Sequence, residues 1–453
     1  MTLWRADPRD SVFAYTESAA NRTSIVTAYS FPEAGVPTDE LIAWIARRAQ
    51  QIPQLHQRLL RPFGDIGEAY WSDAPGFDAR DHVHPLPELA WADLCTFLAT
   101  LHDTDFAPDL PLWDAYVARN VVGAHCSHEP QIVVVLRFHH AMTDGLGSAE
   151  IARQLFSSRI GRYRPGRPVT RTHITALEVA RLPLRPFLVA ADLWRLTRAA
   201  RLIRRHRSSG EWSAPDVAPR TCLLNGPVGD DRAADIVFWR LPQLRAAADA
   251  IGGVSVNDLV LGAVGGAVAD HLGESAPLLA AVPVSVRRTA GPDSRNAVAT
   301  GVVRLHHHLP PCARARAVHR EVTAERRRFA LAGFAELSAA SLPRLPGMAY
   351  ALLGRVWQAA AARGCRPTLT QLKISTIPKG SADQWELCGL GVIANFGVSP
   401  ITDGLAVNHT VSTIGDWLAI GVIADPDRFP DLDGYLDRLR RELASLCDEQ
   451  QTG

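Results

Sequence analysis

The chain has 453 residues, 47% of them hydrophobic and 21% charged, with a formal net charge of +1. That composition belongs to a large globular core, not to a disordered or fibrous chain, and the near-zero charge argues against a nucleic-acid-binding protein. The seven cysteines are odd in number, scattered and without a CxxC spacing, so neither a disulfide framework nor a thiolate metal site is expected, and a reducing cytoplasm suits them.

From the N-terminus, MTLWRADPRD is charged and lacks the apolar h-region of a secretory signal. A strand is predicted over 24–31. A helix follows from Thr38, read as its N-cap, to about Gln51, with Leu41, Ile42, Ile45, Ala49 and Ile52 on one face and Pro53 as its stop. A helix over 91–101 and a strand over 113–120 come next. Gln131 to Phe138 is continuously apolar and β-branched, which predicts a buried strand. It runs into His139-His140, with Asp144-Gly145 just beyond, and a helix over 148–156. This alternation reads as an α/β unit over 1–152.

Residues 153–218 are arginine-rich and proline-interrupted and read as a basic crossover linker. Val189, Leu193, Leu196, Ala200 and Ile203 form one helical stripe, with Arg195, Arg198, Arg201 and Arg205 opposite. Two readings stay open: the stripe packs on the protein, or segment 187–207 lies on an anionic lipid surface. A second α/β alternation fills 219–453. Strands are predicted over 235–241, 278–286, 299–305, 368–377, 404–413 and 417–424, with a glycine-rich helix over 257–271. A closing helix carries Leu432, Leu436, Leu439, Leu443 and Leu446 on its core face. The longest apolar stretch, Leu259 to Ala269, is too short to cross a bilayer.

Imidazole has an unperturbed pKa of roughly 6.5, so a buried one is neutral near physiological pH and can accept and return a proton. His140, on a tight turn at the end of a buried strand, is therefore a candidate base. The rival reading makes both histidines hydrogen-bonded core residues. Asn257 is either a helix N-cap or a polar group turned toward substrate, and Trp113 is either core or substrate contact. His306-His307-His308 alternate faces on an extended chain and cannot all hold one ion, so no metal is expected.

The segment His139-His140-Ala141-Met142-Thr143-Asp144-Gly145 fits HHxxxDG and resembles the motif of the CoA-dependent acyltransferase and condensation-domain superfamily. With Asp10-Ser11-Val12-Phe13, Pro111-Leu112-Trp113, the run Pro219 to Pro227, Asn257-Asp258 and Pro283-Val284-Ser285-Val286-Arg287, the chain resembles the bacterial wax ester synthase/diacylglycerol acyltransferase family from about residue 7 to 446. The resemblance implies an α/β fold of two chloramphenicol acetyltransferase-like lobes with a channel at their junction. It implies a transfer of a fatty acyl group from acyl-CoA, as co-substrate without cofactor or metal, to diacylglycerol or a long-chain alcohol. His140 would be the general base. His139 and Asp144 would complete the catalytic motif, Asp144 turning to pair with Arg287, and Gly145 would give the turn its backbone freedom. Asn257, Asp258 and Trp113 would approach substrate. A cytoplasmic enzyme in peripheral contact with the inner membrane or lipid droplets is implied. A non-lipid hydroxyl or amine acceptor, or a non-catalytic lipid-binding role, are the alternatives. The sequence departs from the family at Ile374-Ser375-Thr376-Ile377-Pro378-Lys379-Gly380, where Ser-Asn-Val-Pro-Gly is usual, and at Arg295-Asn296, where Gly-Asn is preferred.

Overall fold

A computed structural model describes residues 3–448, apart from 20, 108, 160, 213–215, 288–293, 335, 338–341 and 365–366. Two sheets carry the architecture. The first has five strands, ordered Ala394–Val398, Ser24–Pro32, Gln131–His139, Trp113–Val121 and Val83–Pro85. The second has six, ordered Val298–Arg304, Leu279–Ser285, Leu372–Pro378, Val407–Ile414, Trp417–Ala424 and Ala233–Arg240. One sheet anchors each lobe.

The apolar run 131–138 is explained by burial on both faces. Ile132, Val134, Leu136 and Phe138 enter a core shared with Leu41 and Ile45 of the helix Thr38–Ala49. Val133 and Val135 enter another, with Leu94 and Leu98 of the helix Trp91–Thr100 and Ile236, Phe238 and Ala419 of the second sheet. That second core is the apolar seam joining the lobes. A third core packs the leucine stripe of Leu432–Asp448 on the glycine-rich helix Val256–Leu272. Its glycines permit close approach: a Cβ on Gly265 would lie 2.6 Å from Leu305 Cβ.

Several expectations change. Thr38 lies inside its helix, after Pro37, and no side chain caps that end. The linker region holds two helices, Arg171–Arg181 and Arg185–Ser208. The stripe expected on the second is rotated: Asp192 is buried, bonded twice by Arg344 at 2.9 and 2.8 Å, while Leu193 is 50% exposed. Asp192, paired with the half-buried Arg344, shares the inner face of this helix with Val189, Leu196, Ala199 and Ile203. The helices Pro8–Thr16, Leu241–Ile251, Pro311–Ala330 and Gly347–Ala361 were not anticipated. His306 bonds Glu321 at 3.0 Å and His307 the Ala276 carbonyl at 3.0 Å. Among the described residues the cysteines form no disulfide; Cys365 lies outside them.

The strand Ala394–Val398 comes from the C-terminal half yet pairs with Ser24–Pro32 at the edge of the first sheet. There Gly421 meets it backbone to backbone, and a Cβ on Gly421 would sit 1.9 Å from the Gly397 carbonyl oxygen. Overpacking costs about 1–3 kcal/mol where side chains can yield; here the obstacle is main chain, so Gly421→Ala should cost more than about 3 kcal/mol. Urea unfolding measures it, and a wild-type midpoint would contradict this contact.

Candidate active site

The strand Gln131–His139 sends successive side chains to opposite faces, so its terminal histidines meet different surroundings. His139 is 3% exposed. Its Nδ1 accepts the Ala141 N–H at 2.9 Å, which leaves Nε2 to donate to Glu17 Oε2 at 2.8 Å. With both nitrogens engaged, His139 fixes the turn and has no nitrogen to offer a substrate. Met142 N–H closes that turn on the His139 carbonyl at 2.9 Å.

His140 retains some exposed surface. Its N–H donates to the Thr23 carbonyl at 2.7 Å, and Phe13 stacks on its ring at 4.3 Å and 16°. Nδ1 lies 2.8 Å from Asn296 Oδ1. The Asn296 amide nitrogen donates to the His140 carbonyl at 2.8 Å and to Asp10 Oδ1 at 2.9 Å, so its oxygen must be the acceptor facing the ring. Nδ1 therefore carries the proton and Nε2 the lone pair. Nε2 has no hydrogen-bond partner among the described residues. Burial first, and the Lys373 ammonium second, push this imidazole down to about 4, against the opposing pull of Asn296. It is uncharged at neutral pH. Asp10 also accepts the N–H groups of Asn296 at 2.8 Å and Arg295 at 3.1 Å; burial pushes its carboxyl up to about 6 although these bonds favour the anion.

Asp144 points away from the His140 ring and joins the lobes. It caps the helix Gly145–Leu155 by accepting Gly147 N–H at 2.8 Å, accepts Ala297 N–H at 3.1 Å from the second lobe, and pairs with Arg287. Arg287 is 41% exposed, so the charge itself contributes on the order of 1 kcal/mol, less than a fully buried pair. Gly145 is not left-handed; a Cβ there would lie 2.7 Å from Ile377 Cδ1, the end of a side chain that would have to turn aside. Asn257 is not the N-cap. Ser255 caps Val256–Leu272, and Asp258 completes the capping box while bonding His319 Nδ1 at 2.8 Å. Asn257 Oδ1 instead accepts the Thr376 hydroxyl at 2.8 Å. Trp113 is fully buried, donates to the Leu55 carbonyl at 2.9 Å and stacks on His82, which makes it core and not a substrate contact.

Two cavities flank this region. One of about 750 Å³ is walled by Gln57, Met142, Thr143, Gly147 and Arg295. The other, about 1100 Å³, is walled by Asn257, Val282, Val284, Val303, Phe329 and Thr376. Arg287 lines both; His140 lies in neither wall, but the first cavity reaches its loop through Met142 and Thr143.

Two α/β lobes meeting over a neutral, tautomerically fixed HHxxxDG histidine define the class of two-lobed acyltransferases. The wax ester synthase/diacylglycerol acyltransferase catalytic domain matches residues 7–260, and the C-terminal domain of the same family matches 295–447. The chain belongs to that acyltransferase family. A Mycobacterium tuberculosis protein named as a candidate diacylglycerol O-acyltransferase is 27% identical over 388 residues, 82% of this chain and 81% of that one. A second from that organism, similarly named, is 25% identical over 480 residues, covering 98% and 91%. Among solved structures, the wax ester synthase/diacylglycerol acyltransferase of Marinobacter aquaeolei VT8 superposes with a TM-score of 0.65 at 21% identity, over 99% of this chain and 100% of that one. The trichothecene 15-O-acetyltransferase of Fusarium sporotrichioides gives 0.59 at 12% identity, over 98% and 95%. These two likenesses establish the fold.

Sequence reasoning did not assign Asn296, Asp10 or Phe13 to the histidine. Asn296 was noticed only as part of a departure from a motif, and Asp10 and Phe13 only as an opening signature. Removing the Asn296 amide frees the ring and its tautomer; Asn296→Ala is expected to lower kcat/KM by about 10- to 100-fold, at or below the roughly 10²- to 10⁴-fold that a positioned base as a whole contributes. Asp10→Ala should give a smaller loss in the same direction. Wild-type kinetics in Asn296→Ala would remove Asn296 from the site.

Proposed function

We propose that this acyltransferase moves a fatty acyl group from acyl-CoA to a diacylglycerol or a long-chain alcohol, with His140 as general base and no covalent intermediate. The acceptor hydroxyl gives its proton to Nε2 as its oxygen attacks the thioester carbonyl. The tetrahedral adduct collapses, the carbon–sulfur bond breaks, and the imidazolium returns the proton to the departing thiolate. The observation that carries this reading is the one-sided imidazole: Nδ1 held by Asn296, Nε2 uncommitted, the ring uncharged. The larger cavity, with its valine-rich wall and about 1100 Å³, has room for an alkyl chain. A non-lipid hydroxyl or amine acceptor is the second reading, favoured by the polar side chains Gln54, Gln57 and Ser294 in the smaller cavity.

His140→Ala should abolish thiol release from palmitoyl-CoA across a panel of alcohols while the fold persists; unchanged turnover would sink the base assignment. The pH profile adds a sign. A base is lost on protonation, and burial sets His140 at about 4 with Asp10 titrating near 6. The acid limb of kcat/KM should therefore fall between these values, leaving activity level from pH 8 to 6.5. Half-loss at 6.5 or above would indicate a solvated imidazole.

We further infer that the enzyme works in peripheral contact with an anionic lipid surface, the cytoplasmic inner membrane or a lipid droplet. No single helix among the described residues is long and apolar enough to cross a membrane. Yet Leu184, Phe187, Leu193 and Trp194 are exposed along 184–194, and Met348, Leu352, Leu353, Val356 and Trp357 on the helix that follows Arg344. Phe187 and Trp357 are 74% and 76% exposed. Exposed Arg195, Arg198, Arg201 and Arg205 supply the charge complement. The protein should co-sediment with phosphatidylglycerol vesicles and less with phosphatidylcholine. Phe187→Ser combined with Trp357→Ser should weaken binding at least about tenfold, since fully burying one such side chain contributes about 1.5–3 kcal/mol. Equal binding by that double variant would refute this face.

A further inference from the structure

The smaller cavity contains an arginine with no ion pair among the described residues. Its charged lining residues are Arg5, Glu150, Arg287 and Arg295. Arg5 pairs with Glu68 at 3.2 Å, Glu150 with Arg153 at 2.6 Å, and Arg287 with Asp144. Arg295 has no ion pair among the described residues. Its Nη2 donates to the neutral Gln57 amide, its guanidinium lies 3.9 Å over the Trp71 ring, and its Nη1 is buried without a hydrogen-bond partner. Asp10 lies close enough to influence it, but its oxygens are taken by the Arg295 and Asn296 N–H groups and the Asn296 amide.

Burying a guanidinium donor without an acceptor is costly, and such a group is held in place only where the surroundings fix it. Trp71 and Gln57 do so here. Burial lowers Arg295 only to about 10, so it stays cationic at neutral pH. Phosphates and carboxylates are the groups whose oxygens match a guanidinium fork. Arg295 also directly precedes Asn296, the residue that holds His140, so an anion on Nη1 would be anchored to the same loop as the reacting centre.

We propose that the 750 Å³ cavity receives an anionic group of a substrate, a phosphate or a carboxylate, bound by Arg295. The substrate's identity rests on the acyl-transfer reading: the phosphates belong to the coenzyme of the donor, whereas a carboxylate would belong to the acceptor.

Two matched pairs separate the sources. Palmitoyl-CoA and palmitoyl-pantetheine differ in the donor's phosphates; 16-hydroxyhexadecanoate and hexadecanol differ in the acceptor's carboxylate. For each pair the ratio of kcat/KM, anionic over neutral, is compared between wild type, Arg295→Met and Arg295→Lys. One ratio should fall about 10- to 100-fold in Arg295→Met, as expected for a lost charge-assisted hydrogen bond, with partial rescue in Arg295→Lys. A moved donor ratio identifies the phosphate, and a moved acceptor ratio the carboxylate. Should Arg295→Met misfold, Arg295→Gly, which installs the residue the family prefers, is read instead. Calorimetry on the full chain with coenzyme A, pantetheine, palmitate and hexadecanol needs no turnover. If wild type transfers no acyl group but an anionic probe binds and loses affinity in Arg295→Met, the acyl-transfer reading fails and this site stands. If both ratios are unmoved, or anionic and neutral probes bind wild type and variant alike, the proposal is overturned.

Discussion

An imidazole works as a base near neutrality only when it is uncharged and its acceptor nitrogen is uncommitted. At His140 both conditions depend on a position deep at the end of a two-face-buried strand and on one amide from the opposite lobe. Depth removes the charge. Asn296 decides which nitrogen holds the remaining proton, and Asp10 decides which way Asn296 faces. The two lobes thus have to be in register before the site exists, and the apolar seam of Phe238, Phe396 and Ala419, together with Asp144 reaching Ala297, holds that register. A lobe shift of an ångström would break the 2.8 Å contact to the ring.

How far the sequence revealed this follows from the range over which each signal acts. The strand 131–139, the helix 38–49 and the closing leucine stripe were legible because burial stamps a period of two or of 3.6 on neighbouring residues. His139, His140 and Asp144 were legible because the motif is contiguous. Asn296 was not, since it lies 156 positions from His140 and nothing local in either segment points to the other. The Arg185–Ser208 helix was found but its orientation misread: hydropathy counts Leu193 as core and Asp192 as surface, and only the distant Arg344 reverses them. The approach of Ile377 to Gly145 was equally hidden, because it comes from another strand.

Two stretches of the second lobe face the motif loop: Asn296 bonds His140, and Ile377 lies against Gly145. Thr376 bonds Asn257 at 2.8 Å and ties its strand to the helix Val256–Leu272. The chain's lysines, Lys373 and Lys379, both belong to this segment. Burial pushes Lys379 down to about 7 beside the Tyr29 ring, 5.7 Å away, and Lys373 adds its field to His140.

The edge strand 394–398 has a consequence for biogenesis. Its partner, Ser24–Pro32, leaves the ribosome hundreds of residues earlier and waits with its hydrogen-bonding edge open until the late segment arrives. The amino-terminal sheet therefore completes this edge only after residues 394–398 have emerged. A nascent chain stalled before this strand would expose an unpaired ladder that another chain could join.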